Sequence, residues 1–122
     1  MIVFDFIFNC SGKIGVIHRT SKDIWQGLNE FFLVESDKPI EWNESNIQQF
    51  LNNQLGIKKA SIVSISKPRK QQLTHQLITG NFIHINIPSI PASLKTLSWV
   101  SNTTFKRLAF PRLMTAYFEE NK

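Results

Sequence analysis

Cysteine is almost missing from this sequence: Cys10 is the only one among 122 residues. No intramolecular disulfide can form, and no zinc site built mainly on thiolates is possible. A reducing, cytoplasmic setting fits that usage. Acidic side chains are also in deficit, nine against fourteen lysines and arginines, for a formal net charge of +5. A surplus of that size suits a polyanionic partner and equally suits a soluble protein with a basic surface. No apolar run approaches the roughly 18 residues of a membrane-spanning helix, so no membrane partner is expected. Residues 1–8 are apolar but carry Asp5, and they lack a basic leader and a small-residue cleavage site, so they do not read as a secretion signal. There is no glycine-rich phosphate loop and no G-x-S-x-G elbow. The histidines His18, His75 and His84 are too widely separated for a short metal-ligand motif.

What is present is enough for a core. The apolar fraction is 42%, with ten Phe and three Trp, and the length suits one domain over residues 1–122. Residues 2–9 are β-branched and aromatic, as in a strand covered on both faces. Because this apolar strand begins almost at residue 1, the chain is expected to be a piece of a longer protein. Ser11-Gly12 marks a turn, residues 13–19 a returning strand, residues 20–23 a polar turn and residues 30–34 another strand. Ile47, Phe50, Leu51 and Leu55 form one stripe of a helix over 43–55, capped by Asn43 or Ser45 and ended by Gly56. Residues 60–66 alternate Val63 and Ile65 with Ser64 and Ser66. Residues 71–87 read as a long hairpin or bent strand interrupted near Thr79-Gly80-Asn81. There Ile83, Ile85 and Ile87 share one face, and Phe82, His84 and Asn86 the other. Pro88 and Pro91 end it, residues 97–100 add a short strand, and Pro111 starts a last helix with Leu113, Met114, Tyr117 and Phe118 on its apolar side. Glu119 and Glu120 at its end are expected to be solvated. The fold class is therefore α+β: a mixed or antiparallel sheet packed by two helices.

Small α+β domains of this layout include the Nudix hydrolases, whose motif converges several glutamates of one helix on magnesium at a diphosphate. Aligning Gly56-Ile57 with the end of that motif puts Phe50, Asn53 and Gln54 at the glutamate positions. An amide cannot replace a carboxylate as a hard anionic ligand, so a Nudix-like fold would lack its usual chemistry here.

Three stretches carry a further resemblance. His18-Arg19-Thr20-Ser21-Lys22-Asp23-Ile24-Trp25-Gln26-Gly27-Leu28, followed by Glu30-Phe31-Phe32-Leu33-Val34-Glu35, resembles the strand, turn and Trp-x-x-Leu segment of the C-terminal domain of MutY-type adenine DNA glycosylases. Gln71-Gln72-Leu73-Thr74-His75-Gln76 is similar to that family's Phe-Ser-His or Leu-Ser-His lesion-reading loop. Leu108-Ala109-Phe110-Pro111-Arg112-Leu113-Met114 is similar to its Phe-Pro-Arg-Leu helix start, with Trp99-Val100 just before it. Order and spacing agree over nearly the whole chain.

The resemblance implies a Nudix-like domain that is not an enzyme by itself. It belongs to a glycosylase of base excision repair, clamps double-stranded DNA and recognises 8-oxoguanine opposite adenine. A separate N-terminal helical domain, absent from this chain, removes the adenine and holds a 4Fe-4S cluster, for which one cysteine is too few. A monomer at the bacterial nucleoid is expected, with no cofactor in this domain.

The lesion adds an oxygen at C8 and a hydrogen at N7, and a rotating hydroxyl can meet either. By carry-over Thr74 takes the serine position, Leu73 wedges against the base stack without the roughly 1–3 kcal/mol of aromatic stacking, and Gln76 is counted with them among the lesion- and DNA-binding residues. His75 orients the loop or touches a phosphate, or is a packed strand histidine. Lys67, Arg69 and Lys70 around Pro68 are read as phosphate contacts, or as a solvated turn. Trp25, Trp42 and Trp99 are read as packing residues, with Trp25 and Trp99 largely buried. Two other functions stay open: a divergent Nudix-type nucleotide pyrophosphatase and a non-catalytic protein-interaction module.

Overall fold

The computed structural model describes residues 2–18, 29–36, 42–73, 76–110 and 117. β1 (Ile2–Cys10) is the strand around which the sheet is ordered, and its residues are buried almost throughout. It turns into β2 (Lys13–His18) through Ser11 and Gly12, whose φ angles of 51° and 79° are both positive. That pair matches the primed hairpin turns that suit strand twist, and glycine takes such an angle without steric cost.

β3 (Asn29–Glu30) pairs antiparallel with β2, and β4 (Phe32–Ser36) pairs antiparallel with β1 from Ile2↔Ser36 to Phe6↔Phe32. The single strand expected over residues 30–34 is thus two strands with different partners. The cause is Phe31, whose ring is fully buried and stacks on Phe110 at 5.2 Å. Asn29 fixes the same joint, since its main-chain N–H and its Nδ2 both donate to the Ala109 carbonyl.

α1 (Glu44–Leu55) follows. The Asn43 side chain accepts from the Asn46 N–H at 2.8 Å, and Gly56 ends the helix in the left-handed region at φ 69°. Ile47, Leu51 and Leu55 are buried against Phe4, Phe6, Phe8 and Cys10 of β1 and against Ile83, Ile85 and Ile87. Each such aliphatic side chain contributes about 1.5–3 kcal/mol on burial.

β5 (Ser61–Ile65) and β6 (Arg69–Leu73) both pair antiparallel with β7 (Gln76–Asn86) along the same edge of it. β5 carries a register irregularity between Ile62 and Ser64, and it leaves Val63 and Ile65 exposed. β7 runs parallel to β1 from Ile2↔Thr79 to Asn9↔Asn86, so the sheet is mixed. It does not break at Thr79-Gly80-Asn81 as expected. Gly80 pairs with Val3 on one side and Arg69 on the other, and ladders on both edges hold the chain extended. A 3-10 turn (Ala92–Leu94) leads to β8 (Ser98–Ser101), which pairs with β2, and to a short α2 (Asn102–Phe105).

The fold is α+β, a mixed sheet with helices packed on it. The expected helix from Pro111 lies outside the described residues except for Tyr117, which is helical and buried. Tyr117 joins Ile7, Ile14, Val16, Phe31, Phe82 and Phe110 in a second core on the sheet face opposite α1. Among the described residues no helix is long and apolar enough to cross a membrane.

One residue of β1 is out of character. Asp5 is fully buried and neither carboxyl oxygen has a hydrogen-bond partner. Burial first, and then the nearby charge of Glu30, push its pKa from 3.8 up to about 8. Because the folded value exceeds the unfolded one, the folded state binds the extra proton between pH 4 and 8, and stability falls as pH rises through that window. The Asp5→Asn variant is expected to melt on the order of 10 °C above the wild type at pH 8. The gap should shrink steadily toward pH 4, which thermal melts across the window would read. Parallel melting curves would mean that Asp5 stays charged.

Candidate nucleic-acid interface

The β6–β7 hairpin carries the sequence-predicted reading loop. Leu73 and Gln76 form its last cross-strand pair. Thr74 and His75 lie outside the described residues. β7's ladder with β1 begins at Thr79, so among the described residues the segment from Gln76 to Ile78 is paired in the sheet with β6 alone. The hairpin therefore extends past the end of β1.

Strand alternation sorts the three candidate cations. Arg69 lies opposite Gly80, on the face shared by Phe82 and His84, while Lys70 lies opposite Thr79 on the α1 face. Lys67 and Arg69 line one open cleft of about 550 Å³ with Ser64, Ile65, Ser66, Pro68 and Tyr117. Lys70 is not part of its lining. The structure thus brings two of the three predicted phosphate contacts together and turns the third away. Arg69 stands about 13 Å up the strand from Leu73, at roughly 3.3 Å per residue.

The bend between β5 and β6 forms one wall of the cleft, and Ser66 fixes it. The Ser66 N–H donates to the Phe82 carbonyl at 2.8 Å, and the Phe82 N–H donates to Ser66 Oγ at 2.8 Å. Pro68, with no N–H to offer a ladder, then lets the chain leave the strand before Arg69 rejoins it.

Tyr117 forms the other wall. Its ring stacks on Phe82 with centroids 4.1 Å apart and planes 12° apart. Its hydroxyl lies 2.6 Å from His84 Nε2 and is also hydrogen-bonded by Ser64. Burial lowers the His84 pKa, so the imidazole is neutral, and the hydroxyl satisfies either tautomer. Burial raises the Tyr117 pKa against the opposing pulls of Arg69 and Ser64, so the phenol keeps its proton. The Arg69 guanidinium carbon sits 5.8 Å from the Tyr117 ring centroid, within cation–π range. Sequence reasoning gave no site role to Ser64, Ser66, His84 or Tyr117. The only signal was His84 sharing a strand face with Phe82.

α1 carries the three residues that the sequence alignment sets at the glutamate positions of the Nudix motif. Phe50 stacks on Phe6 at 5.3 Å and meets Trp42 edge-on at 5.5 Å. Asn53 and Gln54 are exposed amides. These residues do not fit a magnesium ion, which needs anionic oxygens. Among the described residues no group of three or more His, Cys, Asp or Glu could hold a metal. Trp99 is only half-buried, with Nε1 donating to the Leu94 carbonyl, and Trp42 packs on Phe4, Phe6 and Phe50. Trp25 lies outside the described residues.

A profile of the NUDIX domain family matches residues 4–120 of this chain. No curated protein matches it. Among solved structures, a Nudix hydrolase from M. smegmatis, RenU, superposes with a TM-score of 0.68 at 11% identity, over 97% of this chain and 81% of that one. The C-terminal domain of mouse MUTYH, solved in complex with human PCNA, gives 0.65 at 14% identity over 97% and 84%. The E. coli ORF135 protein gives 0.56 at 20% identity over 93% and 81%.

The His84–Tyr117 contact ties the last described residue to the sheet and should be measurable as such. Replacing Tyr117 with Phe keeps the stack on Phe82 but strips His84 Nε2 of its partner, at an expected cost of about 1–2 kcal/mol. A double-mutant cycle with His84→Ala, read by urea denaturation, should return a coupling of about 1 kcal/mol. Strict additivity would show that the contact adds nothing to stability.

Proposed function

The chain belongs to the NUDIX domain family, and from that premise we propose that it is a member that reads nucleic acid and does not hydrolyse nucleotides. In this reading it is the C-terminal domain of a MutY-type adenine DNA glycosylase. It recognises 8-oxoguanine opposite adenine while a separate helical domain removes the adenine. The observation that carries the reading is the replacement of helix carboxylates by Phe50, Asn53 and Gln54 on a helix that keeps the Gly56-Ile57 ending. Phe50 is built into the aromatic packing with Phe6 and Trp42, so this helix serves the core where a hydrolase would use it for metal. The fold shared with the MUTYH C-terminal domain supports the reading, and so does the pairing of Lys67 and Arg69 beside the hairpin.

The partners proposed are duplex DNA holding 8-oxoguanine opposite adenine and the helical catalytic domain. That domain would also supply the iron–sulfur cluster, because Cys10 is single and buried here. Thr74 is proposed to read the lesion, with Leu73, His75 and Gln76 shaping the loop around it. Replacing Thr74 with Ala in the full-length enzyme is expected to reduce the preference for 8-oxoguanine:adenine over guanine:adenine about tenfold, the value of one base-reading hydrogen bond. Binding and single-turnover rates on both duplexes measure it, and an unchanged ratio removes Thr74 from the reading.

A second reading, a divergent Nudix-type pyrophosphatase, is favoured by family membership and by the fold shared with RenU. Incubation with magnesium and 8-oxo-dGTP separates the two. No release of pyrophosphate is expected, and steady turnover would replace the DNA-reading proposal with the hydrolytic one.

A further inference from the structure

The cleft between the β5–β6 bend and Tyr117 has a construction that simple charge on a surface does not need. Two cations from one short stretch, Lys67 and Arg69, open into it. Arg69 is set over the Tyr117 ring, and that ring is immobilised from behind by Phe82 and at its hydroxyl by His84 and Ser64. A guanidinium held over an aromatic face loses less freedom when it binds an anion, and its fork suits two oxygens of one phosphate. The hydroxyls of Ser64 and Ser66 are already committed to Tyr117 and to the Phe82 N–H, so they shape the wall while Lys67 and Arg69 supply the charge. A volume of about 550 Å³ exceeds what a bare ion needs and falls within the range of small-ligand sites.

We infer that this cleft is a seat for one phosphodiester unit of a nucleic-acid backbone, held by Lys67 and Arg69, with Tyr117 as the residue that positions Arg69. The inference rests on the DNA-reading proposal for its occupant but not for its chemistry. It goes further by naming the seat, by excluding Lys70 from it, and by giving Tyr117 a role although its ring faces the core.

The test uses the ¹⁵N-labelled chain and three probes: the thymidine dinucleotide with a single phosphodiester, thymidine alone, and a 15-base-pair duplex. The dinucleotide is expected to shift the amides of residues 64–69 and of Tyr117, and thymidine to leave them in place. Arg69→Gln and Lys67→Gln should each weaken dinucleotide binding about tenfold, as the loss of one charge-assisted contact. Tyr117→Leu should weaken it as much as Arg69→Gln does, while Tyr117→Phe, which keeps the ring, should bind like the wild type. Lys67→Gln changes an exposed side chain and keeps the test open if Tyr117→Leu fails to fold. Duplex binding that leaves residues 64–69 unshifted overturns the seat while the DNA reading stands. Dinucleotide binding without duplex binding supports the seat and sinks the DNA reading. Equal shifts from thymidine and the dinucleotide overturn the seat, because the phosphate would then count for nothing.

Discussion

β1 has a strand along both edges and a core on both faces, and the position of almost every other element follows from that. Its even-numbered residues Phe4, Phe6, Phe8 and Cys10 pack beneath α1, while Ile7 faces the second core with Phe31, Phe82 and Tyr117. Its edges are divided between β4 and β2 on one side and β7 on the other. β7 is the longer partner, so it leaves the sheet still paired to β6 and carries the hairpin outward from a strand that the core holds rigid. Asp5 is the one fully buried polar side chain of that strand, and its carboxyl is left without a hydrogen-bond partner.

α1 illustrates how a few packing residues set the form of a helix. The left-handed Gly56, the buried Ile57 and the stripe of Ile47, Leu51 and Leu55 set the helix against the sheet. Those features serve packing and do not depend on what the outer positions hold. Phe50 lies in an aromatic cluster, and Asn53 and Gln54 face solvent.

Much of the architecture was legible because it is written in local rules. Asn43 and Gly56 bracket α1, Ser11-Gly12 makes the first turn, and the alternation of Phe82 and His84 with Ile83 and Ile85 assigns both faces of β7. The misreadings occurred where distant contacts overrule local preference. Phe31 is pulled into the far core by Phe110, which divides one apolar run into two strands. Gly80 looks like a break but is held extended by ladders from Val3 and Arg69. The cleft was hidden for the same reason, since His84 and Tyr117 meet across 33 positions of sequence and no spacing rule reports such a pair. The three cations near Pro68 were visible as a cluster, but only strand register separates Arg69 from Lys70.

The irregularity in β5 has a consequence for how the molecule behaves among copies of itself. β5 lies at the end of the strand order, with Val63 60% exposed and Ile65 42% exposed, which is the profile of a strand that could template sticky edge-to-edge growth. The misregister between Ile62 and Ser64 spoils the even row of hydrogen-bonding groups such growth requires, and Lys58, Lys59 and Lys67 flank the strand with like charge. A bulge and flanking lysines are devices that disfavour such growth at an apolar edge facing water.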